Sequence, residues 1–388
     1  MRQDEQVRVI RTLMDHLDAG TNVDAGGIRR IEAAEYTSPE RAALEWDRFF
    51  RHHPQIIGLS GDLPEANSFM TINDFGSPIL ATRDKQGRFR AFANICRHRG
   101  TILEEAPRGT KSRFSCPFHA WTYDNGGKLI GLPKSDHFGA VDKGCFNLLE
   151  LPAVEASGLL IVHPQPDGVI DLGAVLGGLD DEFGAWDFGR MRALGDDLYE
   201  TPMNWKLAID TFGETYHFEK LHEKTLTPYF YGNVQAYDIF GRNHRMSLCV
   251  KSIDMLRQMP EDQWQVTLGA FPVYYLFPNV QLNVGHGFAI LLRVYPVPGQ
   301  PGQSFSRISL YAYPEVYEAD PENVMFRMRA FATIIRDEDY VAAASCYRGA
   351  ASGLIGEFVF GRNEPALHHY HNTYHTALGL DPLPLEPA

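Results

Sequence analysis

The sequence predicts an α+β protein built from a small all-β domain and a larger domain in which helices pack on an antiparallel sheet. Three regions support this fold class. Region 51–165 consists of short apolar runs between Gly, Asn, Asp and Pro, which is typical of strands and tight turns. Region 166–388 combines helical stretches with a series of aromatic-rich strands. Region 1–50 is helical, and we expect this N-terminal segment to pack on the larger domain.

Length and composition are those of a soluble globular protein. The 388 residues suffice for two or three domains, and the net charge of −13 argues against nucleic acid or an anionic membrane as a partner. No apolar run approaches the ~20 residues that a membrane helix needs. The N-terminus leads into no apolar segment of a secretory signal. The five cysteines lack the regular spacing of a disulfide framework, so we expect a cytoplasmic protein.

The N-terminal region predicts two helices. Val9, Leu13 and Leu17 recur at intervals of four over residues 1–18, which puts them on one side of a helix. Ser38 and Pro39 have the residue types of an N-cap and a first helical position, so a second helix should run from there to about residue 52.

The strands of both domains are predicted from local patterns. In the small domain, 78–82 with 89–92 and 121–123 with 128–130 read as two hairpins around Gly-containing turns. In the larger domain we expect an antiparallel sheet, whose aromatic side chains form core and line an apolar pocket. Its predicted strands are 245–251, 265–268, 271–277, 280–284, 288–295 and 307–313.

Two cysteine–histidine pairs stand in the small domain, and each follows or precedes a hairpin. Cys96 and His98 form a Cys-x-His pair, and Cys116 and His119 form a Cys-x-x-His pair. Zinc accepts the same donors, but its common pattern keeps like ligands together. One thiolate and one imidazole in each loop suit a [2Fe–2S] cluster with one iron on two cysteines and the other on two histidines, the Rieske arrangement.

A second metal site is indicated by Glu214, His217 and His222. The two histidines are five residues apart, about 140° around an ideal helix, so a regular helix cannot aim both at one ion. We therefore expect the helix that starts near Pro202 to widen or end between them. Two histidines with one carboxylate form the ligand set of non-haem Fe(II) oxygenases, which leaves positions open for O₂ and substrate.

These segments resemble the alpha subunits of the aromatic-ring-hydroxylating, Rieske non-haem iron oxygenase family. The match rests on CRHRG at 96–100, CPFHAW at 116–121 and NWKLAIDTFGETYHFEKLH at 204–222, and it extends over nearly the whole chain after residue 40. The resemblance implies a Rieske domain and a helix-grip catalytic domain. It also implies that Cys96, His98, Cys116 and His119 hold the cluster.

For the mononuclear Fe(II), the resemblance makes His217 and His222 ligands. It gives Glu214 the role of the carboxylate that bridges to a cluster histidine of a neighbouring subunit. Aligning Arg348 and Gly349 with the family's ending places the third ligand at Asp339, with Asp337 as the alternative. Asp210 is expected to support the site by hydrogen bonding.

The implied activity is that of a terminal oxygenase. A flavin reductase, a ferredoxin or both would bring electrons from NAD(P)H, and O₂ would be activated for monooxygenation or oxidative dealkylation of a small organic substrate. We prefer this reaction because Glu at the bridging position occurs in members that act on quaternary ammonium compounds. The alternatives are cis-dihydroxylation of an aromatic ring, a Rieske electron carrier without oxygenase activity, and a zinc-stabilised binding protein.

The resemblance also implies a homotrimer, with or without a separate beta subunit. Basic residues around the cluster outnumber the two nearby glutamates, which predicts a docking face for an acidic electron donor. The basic residues are Arg97, Arg99, Arg108, Lys111 and Arg113.

Overall fold

The computed structural model describes residues 1–140 and 142–387, and the chain divides into two compact units. The smaller unit comprises Asp47–Asp171 and Asp187–Arg192. The larger unit comprises Met1–Trp46, Leu172–Trp186 and the chain from Ala193 onward. Helices and antiparallel sheets occur together, which confirms the α+β class. None of the described helices is long and apolar enough to cross a lipid bilayer.

The described part of the smaller unit contains three antiparallel sheets. Both predicted hairpins are confirmed, since Ile79–Arg83 pairs with Phe89–Ala93 and Thr122–Asp124 pairs with Leu129–Gly131. The first sheet has five strands in the order Glu150–Leu151, Phe89–Ala93, Ile79–Arg83, Ser68–Ile72 and Arg108–Thr110. The second has three strands in the order Ala153–Ala156, Leu159–Val162 and Gln55–Leu59. The third has three strands in the order Arg113–Ser115, Thr122–Asp124 and Leu129–Gly131.

The larger unit is organised around a seven-stranded sheet, which we call the catalytic sheet. Its spatial order is Arg192–Thr201, Gln300–Ala312, Phe288–Val297, Val280–Gly285, Ala270–Leu276, Asn243–Val250 and Phe230–Phe240. The last six strands pair antiparallel with their sequence neighbours. A smaller sheet has the order Glu357–Phe360, Gly27–Glu32 and Glu386–Pro387.

The two faces of the catalytic sheet carry different side chains, because successive residues of a strand point to opposite faces. Met246 lies opposite Val273, and Val273 lies opposite Asn283, so these three side chains share one face. Arg245 and Tyr274 point to the other face, where both bond to Glu182. The residues predicted to bind the mononuclear iron lie on the face that carries Met246, because they line one pocket together with it.

Helices cover both faces of this sheet. The predicted N-terminal helix is confirmed as Gln3–Ala19, with Val9 and Leu13 fully buried. Ser38 caps the next predicted helix by accepting the Arg41 N–H at 3.1 Å, and the chain then widens into a π-helical turn at Trp46–Arg51. The other α-helices of this unit are Ala34–Thr37, Pro39–Glu45, Leu172–Leu176, Asp180–Trp186, Trp205–Asp210, Phe218–Leu221, Ile253–Leu256, Val266–Gly269, Pro314–Ala319, Pro321–Ile334, Tyr340–Ala351 and Pro365–Ala377.

The prediction of a strand at 265–268 is wrong. Val266–Gly269 is a single helical turn, and its first N–H, on Val266, bonds to the Gln6 side chain at 2.8 Å. A four-residue apolar run is compatible with either structure, so periodicity alone could not separate them. The sheet also includes two strands that were not predicted, Arg192–Thr201 and Phe230–Phe240.

Candidate metal centres

The two ligand loops of the smaller unit have the same backbone design. In the first, the Gly100 N–H bonds to the Cys96 carbonyl at 3.0 Å; in the second, the Ala120 N–H bonds to the Cys116 carbonyl at 3.0 Å. The residue that closes each turn has a positive φ, +79° at Gly100 and +57° at Ala120. Two equal tight turns at the ends of two hairpins therefore present the two Cys–His pairs.

Within each pair the cysteine is buried and the histidine lies nearer the surface. Cys96 and Cys116 are 2% and 4% exposed, whereas His119 is exposed and His98 is half-buried. The two imidazole centroids are 4.7 Å apart, and His98 stacks on the buried Trp121 with centroids 5.0 Å apart. The chain thus places two thiols on the inner side of the loops and two imidazoles on the outer side.

The surroundings of the two cysteines affect the charge on sulfur in opposite directions. Burial raises the pKa of the Cys96 thiol, whose Sγ lies 3.6 Å from Tyr123 Oη. Burial also acts on Cys116, but hydrogen bonds from the backbone N–H groups of Phe118 and His119 outweigh it and lower the pKa of that thiol. N–H groups aimed at sulfur stabilise thiolate ligands and tune an iron–sulfur cluster. Two thiols and two imidazoles presented in this way fit a Rieske cluster.

The second site is built by a break in the helix that the sequence predicted. Asn204 caps the helix Trp205–Asp210 by accepting the Lys206 N–H at 2.9 Å. The helix then ends at Asp210, before either histidine and not between them as expected. The chain next passes close to the helix Pro365–Ala377, where a Cβ at Gly213 would lie 2.5 Å from Leu367 Cδ2. One helical turn, Phe218–Leu221, follows, with His217 and His222 directly before and after it.

An acid holds the Nδ1 atom of each of these histidines. Glu214 bonds to His217 Nδ1 and also accepts the His217 backbone N–H at 3.1 Å. Glu338 lies 2.6 Å from His222 Nδ1. With both Nδ1 atoms donating to carboxylates, both Nε2 atoms have lone pairs free to bind a metal, which is the usual arrangement of metal-bound histidine.

Asp339 lies between the two free Nε2 atoms. Its Oδ1 is 3.2 Å from His222 Nε2 and 3.4 Å from His217 Nε2, and the three potential ligand atoms lie within 4.8 Å of one another. Asp339 stands at the end of a π-helical turn, Ile335–Asp339. The wide turn anticipated between the histidines is thus found at the acid instead.

Asp337, the alternative third ligand, points elsewhere. Its side chain is 53% exposed and forms two hydrogen bonds with Arg336. The Asp339 side chain is only 7% exposed. Of these two aspartates, only Asp339 faces the histidines.

The three groups fit a cation because they form a buried cluster of acceptors. His217 Nε2 is a buried atom, and the partner described for it is Asp339 Oδ1 at 3.4 Å. Burial lowers the pKa of His217, but hydrogen bonds and charge from Asp339 and Glu214 outweigh it and raise the value to about 9. Hydrogen bonds from His217 and His222 outweigh burial at Asp339 and lower the pKa of that carboxyl. The site holds a proton strongly in the absence of metal, so its electrostatics favour a positive ion.

A pocket with a mainly apolar lining opens beside this cluster. Glu214, His217, His222 and Asp339 contribute to its wall. Most of the rest of the wall is aromatic or aliphatic: Phe212, Phe218, Leu226, Phe230, Met246, Leu248, Val273, Phe331, Ile334 and Ile335. No Lys or Arg of the described residues lines it. The arrangement suits an organic substrate that presents an apolar body to the metal.

Asp210 lies in a separate hydrogen-bond network of the larger unit. It accepts hydrogen bonds from Tyr36 Oη at 2.7 Å and His371 Nε2 at 2.9 Å. These bonds join the helix Trp205–Asp210 to the helix Pro365–Ala377, which carries His371. The geometry agrees with a supporting role for Asp210 and places it outside the metal-facing group.

Sequence reasoning missed Glu338 as part of the site. Three acids follow Arg336 in a row, and their sequence order does not reveal which contacts a histidine more than a hundred residues away. Glu338 accepts from His222 and also from Thr225 Oγ1 at 2.8 Å. The partial burial of Glu338 and this second bond fix the orientation of the carboxylate against His222.

We expect Glu338→Gln to weaken iron binding at His222 by about 10- to 100-fold, because outer carboxylates orient metal-bound histidines and raise their basicity. Iron retained after dialysis against a graded series of chelator concentrations measures the effect. Asp337→Asn is the matched control and should retain iron like the unmodified protein. Equal retention by both variants would show that Glu338 does not support His222.

The predicted basic face around the cluster is smaller than the sequence indicated. Arg108 pairs with Asp62, and Lys111 pairs with Glu104. Arg97, Arg99 and Arg113 are exposed. Internal ion pairs therefore reduce the positive charge expected at this surface.

Comparisons with known families agree with both centres. Residues 53–150 match the Rieske [2Fe-2S] domain, and residues 188–379 match the ring hydroxylating alpha subunit (catalytic domain). Together with the two metal-binding geometries, these matches define an oxidoreductase of two iron centres. The chain belongs to the Rieske non-haem iron oxygenases as an alpha subunit, and its cofactors are a Rieske [2Fe–2S] cluster and a mononuclear iron.

Similar proteins include both monooxygenases and dioxygenases. The chain is 30% identical over 195 residues to the glycine betaine monooxygenase oxygenase subunit of Chromohalobacter salexigens, an alignment that spans 49% of this chain and 42% of that relative. It is 25% identical over 331 residues to the carnitine monooxygenase oxygenase subunit of Acinetobacter baumannii, spanning 82% and 84%. It is 29% identical over 194 residues to the biphenyl 2,3-dioxygenase alpha subunit of Rhodococcus jostii, spanning 48% of this chain and 42% of that relative.

A solved structure shares the fold across nearly the whole chain. A quaternary ammonium Rieske monooxygenase in complex with L-carnitine superposes with a TM-score of 0.76, covering 91% of this chain and 96% of that one. The sequence identity is 20%, so this likeness concerns the fold alone.

Proposed function

We propose that this chain is the terminal oxygenase component of a monooxygenase or oxidative dealkylase acting on a small organic substrate. Cys96, His98, Cys116 and His119 hold the cluster in this proposal. One observation carries it: three buried acceptor groups, on His217, His222 and Asp339, converge beside a pocket with a mainly apolar wall.

The residues of the chain divide the work of the reaction. When bound, the cluster supplies single electrons and the Fe(II) supplies a site for O₂. Glu214 and Glu338 orient the two iron-binding imidazoles through their Nδ1 atoms. The apolar wall excludes water and holds the substrate body. Glu214 bonds to His217 Nδ1, and in this proposal, as the family resemblance implies, it is the polar link from His217 toward a cluster histidine of another subunit.

The pocket lining restricts the substrate. A carboxylate buried in this pocket would find no Lys or Arg to pair with, and it would lie near the acids Glu214 and Asp339. A substrate with a free acid should therefore be disfavoured. Four phenylalanine faces, from Phe212, Phe218, Phe230 and Phe331, can contact either a hydrocarbon or a quaternary ammonium group. The names of relatives that act on glycine betaine and carnitine support the second possibility for the ammonium group alone, because both compounds also carry a carboxylate.

Cis-dihydroxylation of an aromatic ring is the second candidate function. The aromatic and aliphatic pocket wall favours this reaction, and one of the relatives is named as a biphenyl 2,3-dioxygenase. The number of oxygen atoms taken from O₂ separates the two reactions.

The test uses iron-loaded enzyme with a reductase, ferredoxin, NADH and ¹⁸O₂. Ethylbenzene, benzyltrimethylammonium and phenylacetate are matched probes of neutral, cationic and anionic character. We expect O₂ uptake that depends on the neutral or the cationic probe. The product should contain one labelled oxygen atom, or an aldehyde should be released by dealkylation. Uptake with phenylacetate should be at least about tenfold lower. Two labelled atoms in a cis-diol would favour the alternative, and no substrate-dependent uptake would contradict both.

The partners follow from the same proposal. A flavin reductase, alone or with a ferredoxin, delivers electrons to the cluster in the cytoplasm. The exposed Arg97, Arg99 and Arg113 offer a modest positive surface for that donor. The functional assembly is a homotrimer, with or without a beta subunit, because Glu214 then has a neighbouring cluster histidine to contact.

A further inference from the structure

A buried asparagine on the catalytic sheet has no hydrogen-bond partner among the residues that the structure describes. Asn283 is 0% exposed, and both its Nδ2 and its Oδ1 are without partners. Leaving one buried polar atom unpaired costs free energy comparable to a lost hydrogen bond, and Asn283 does so with two. Such a group is retained most simply where a bound molecule completes its bonds.

Asn283 stands at the edge of the substrate pocket. The sheet register puts Met246, Val273 and Asn283 side by side on three neighbouring strands. Met246 and Val273 line the pocket. Directly opposed side chains on one face have Cβ atoms about 4.5–5.5 Å apart, so the Asn283 amide lies one position beyond the pocket wall.

Besides Val273, Asn283 has one apolar and one amide neighbour on its face of the sheet. On its far side it lies opposite Ile290, which is fully buried. Gln281, two residues earlier on the same face, donates from Nε2 to Tyr370 Oη at 2.7 Å but leaves Oε1 unpaired. The unpaired groups at this end of the pocket are therefore one donor and two acceptors.

We propose that Asn283 determines substrate specificity by binding an uncharged group that both donates and accepts hydrogen bonds, such as an amide or a hydroxyl. This inference rests on the proposed function, because it takes the pocket beside His217 and Asp339 as the substrate site. The substrate then has an apolar body over Met246 and Val273 and one polar end at Asn283. The polar end fixes which carbon of the body faces the iron.

Two probes of the same shape test this proposal. Benzamide and isopropylbenzene differ in that only the first can pair with an amide. Calorimetric titration of the iron-loaded enzyme should give a dissociation constant about ten- to hundredfold lower for benzamide, since its group satisfies atoms that isopropylbenzene leaves unpaired. Asn283→Leu, which keeps the shape, should abolish or reverse this preference, and Asn283→Ala should abolish it without risk of overfilling the site.

Ser247→Ala is the matched control. Ser247 Oγ is also buried and unpaired, but Ser247 lies between Met246 and Leu248 in its strand and therefore points to the opposite face. Both Asn283→Leu and Ser247→Ala should raise the melting temperature of the ligand-free protein, because each removes an unpaired buried group. Only the Asn283 variants should change the ratio of the two dissociation constants.

Three results would overturn the proposal. One is equal or weaker binding of benzamide by the unmodified enzyme, and another is an unchanged ratio in the Asn283 variants. The third is a lower melting temperature for Asn283→Leu, which would mean that a structural water already pairs the amide. These binding results are independent of product formation, so an active oxygenase with an unchanged ratio would reject this inference and leave the proposed function intact.

Discussion

Asp339→Ala should remove iron from the mononuclear site and lower product formation to background, while the [2Fe–2S] spectrum stays unchanged. The Asp339 carboxylate is the anionic group that faces both Nε2 atoms, at 3.2 and 3.4 Å. Its loss leaves two neutral imidazoles as ligands. Removal of a carboxylate that only hydrogen-bonds to a metal-bound histidine lowers metal affinity by up to roughly 100-fold, so the loss of Asp339 itself should lower iron affinity by more than that. Iron per chain, the reduced-cluster EPR signal and product yield measure the three expectations.

Asp337→Ala is the matched control for this variant. Asp337 lies two residues away and bonds only to Arg336 among the contacts described for it. It should keep iron and full activity. The reverse result, with iron lost from the Asp337 variant and kept in the Asp339 variant, would reject Asp339 as the third ligand.

Glu214→Gln, loaded with excess iron so that the weaker hold on His217 does not empty the site, should contain both metals and yet slow electron transfer between them by about 10- to 100-fold. The substitution keeps the size of the side chain but removes its charge, and charge-assisted hydrogen bonds are roughly twice as strong as neutral ones. Glu214 accepts from both Nδ1 and the backbone N–H of His217. The variant should therefore hold its imidazole less firmly and couple it less well to a neighbouring cluster histidine.

A single-turnover measurement resolves this effect. The pre-reduced variant is mixed with substrate and O₂, and the cluster absorbance is followed as it reoxidises. Glu219→Gln is the control, because Glu219 is exposed on the adjacent helical turn Phe218–Leu221. Reoxidation and product yield at the unmodified rate in Glu214→Gln would show that Glu214 only packs against His217.

The cluster loops illustrate what can be predicted from local sequence. Cys96 to His119 is a short stretch in which spacing and turn residues restrict where four side chains can go. The two hairpins that flank this stretch were predicted around Gly-containing turns, and the structure has them. Short-range geometry is controlled by the covalent chain, so a sequence pattern carries most of the information.

The sequence was a poorer guide to where a helix ends. The helix predicted to start near Pro202 was expected to widen or end between His217 and His222, but the structure ends it at Asp210, and Gly213 then lies against the helix Pro365–Ala377. The strand predicted at 265–268 failed for a related reason, because a contact from Gln6 favours a helical turn there. In both places a partner distant in sequence decided the local conformation.

The sequence by itself determined the α+β class, the two types of metal centre and the histidines offered to each, because these depend on residue type and close spacing. Tertiary structure separated Asp339, which the sequence favoured, from Asp337. It alone showed that Glu338 contacts His222 and that Asn283 lies beside the pocket wall. Each of these depends on elements far apart in the chain. Only packing brings such elements together, and the burial that accompanies packing makes an acid or an amide there require a partner.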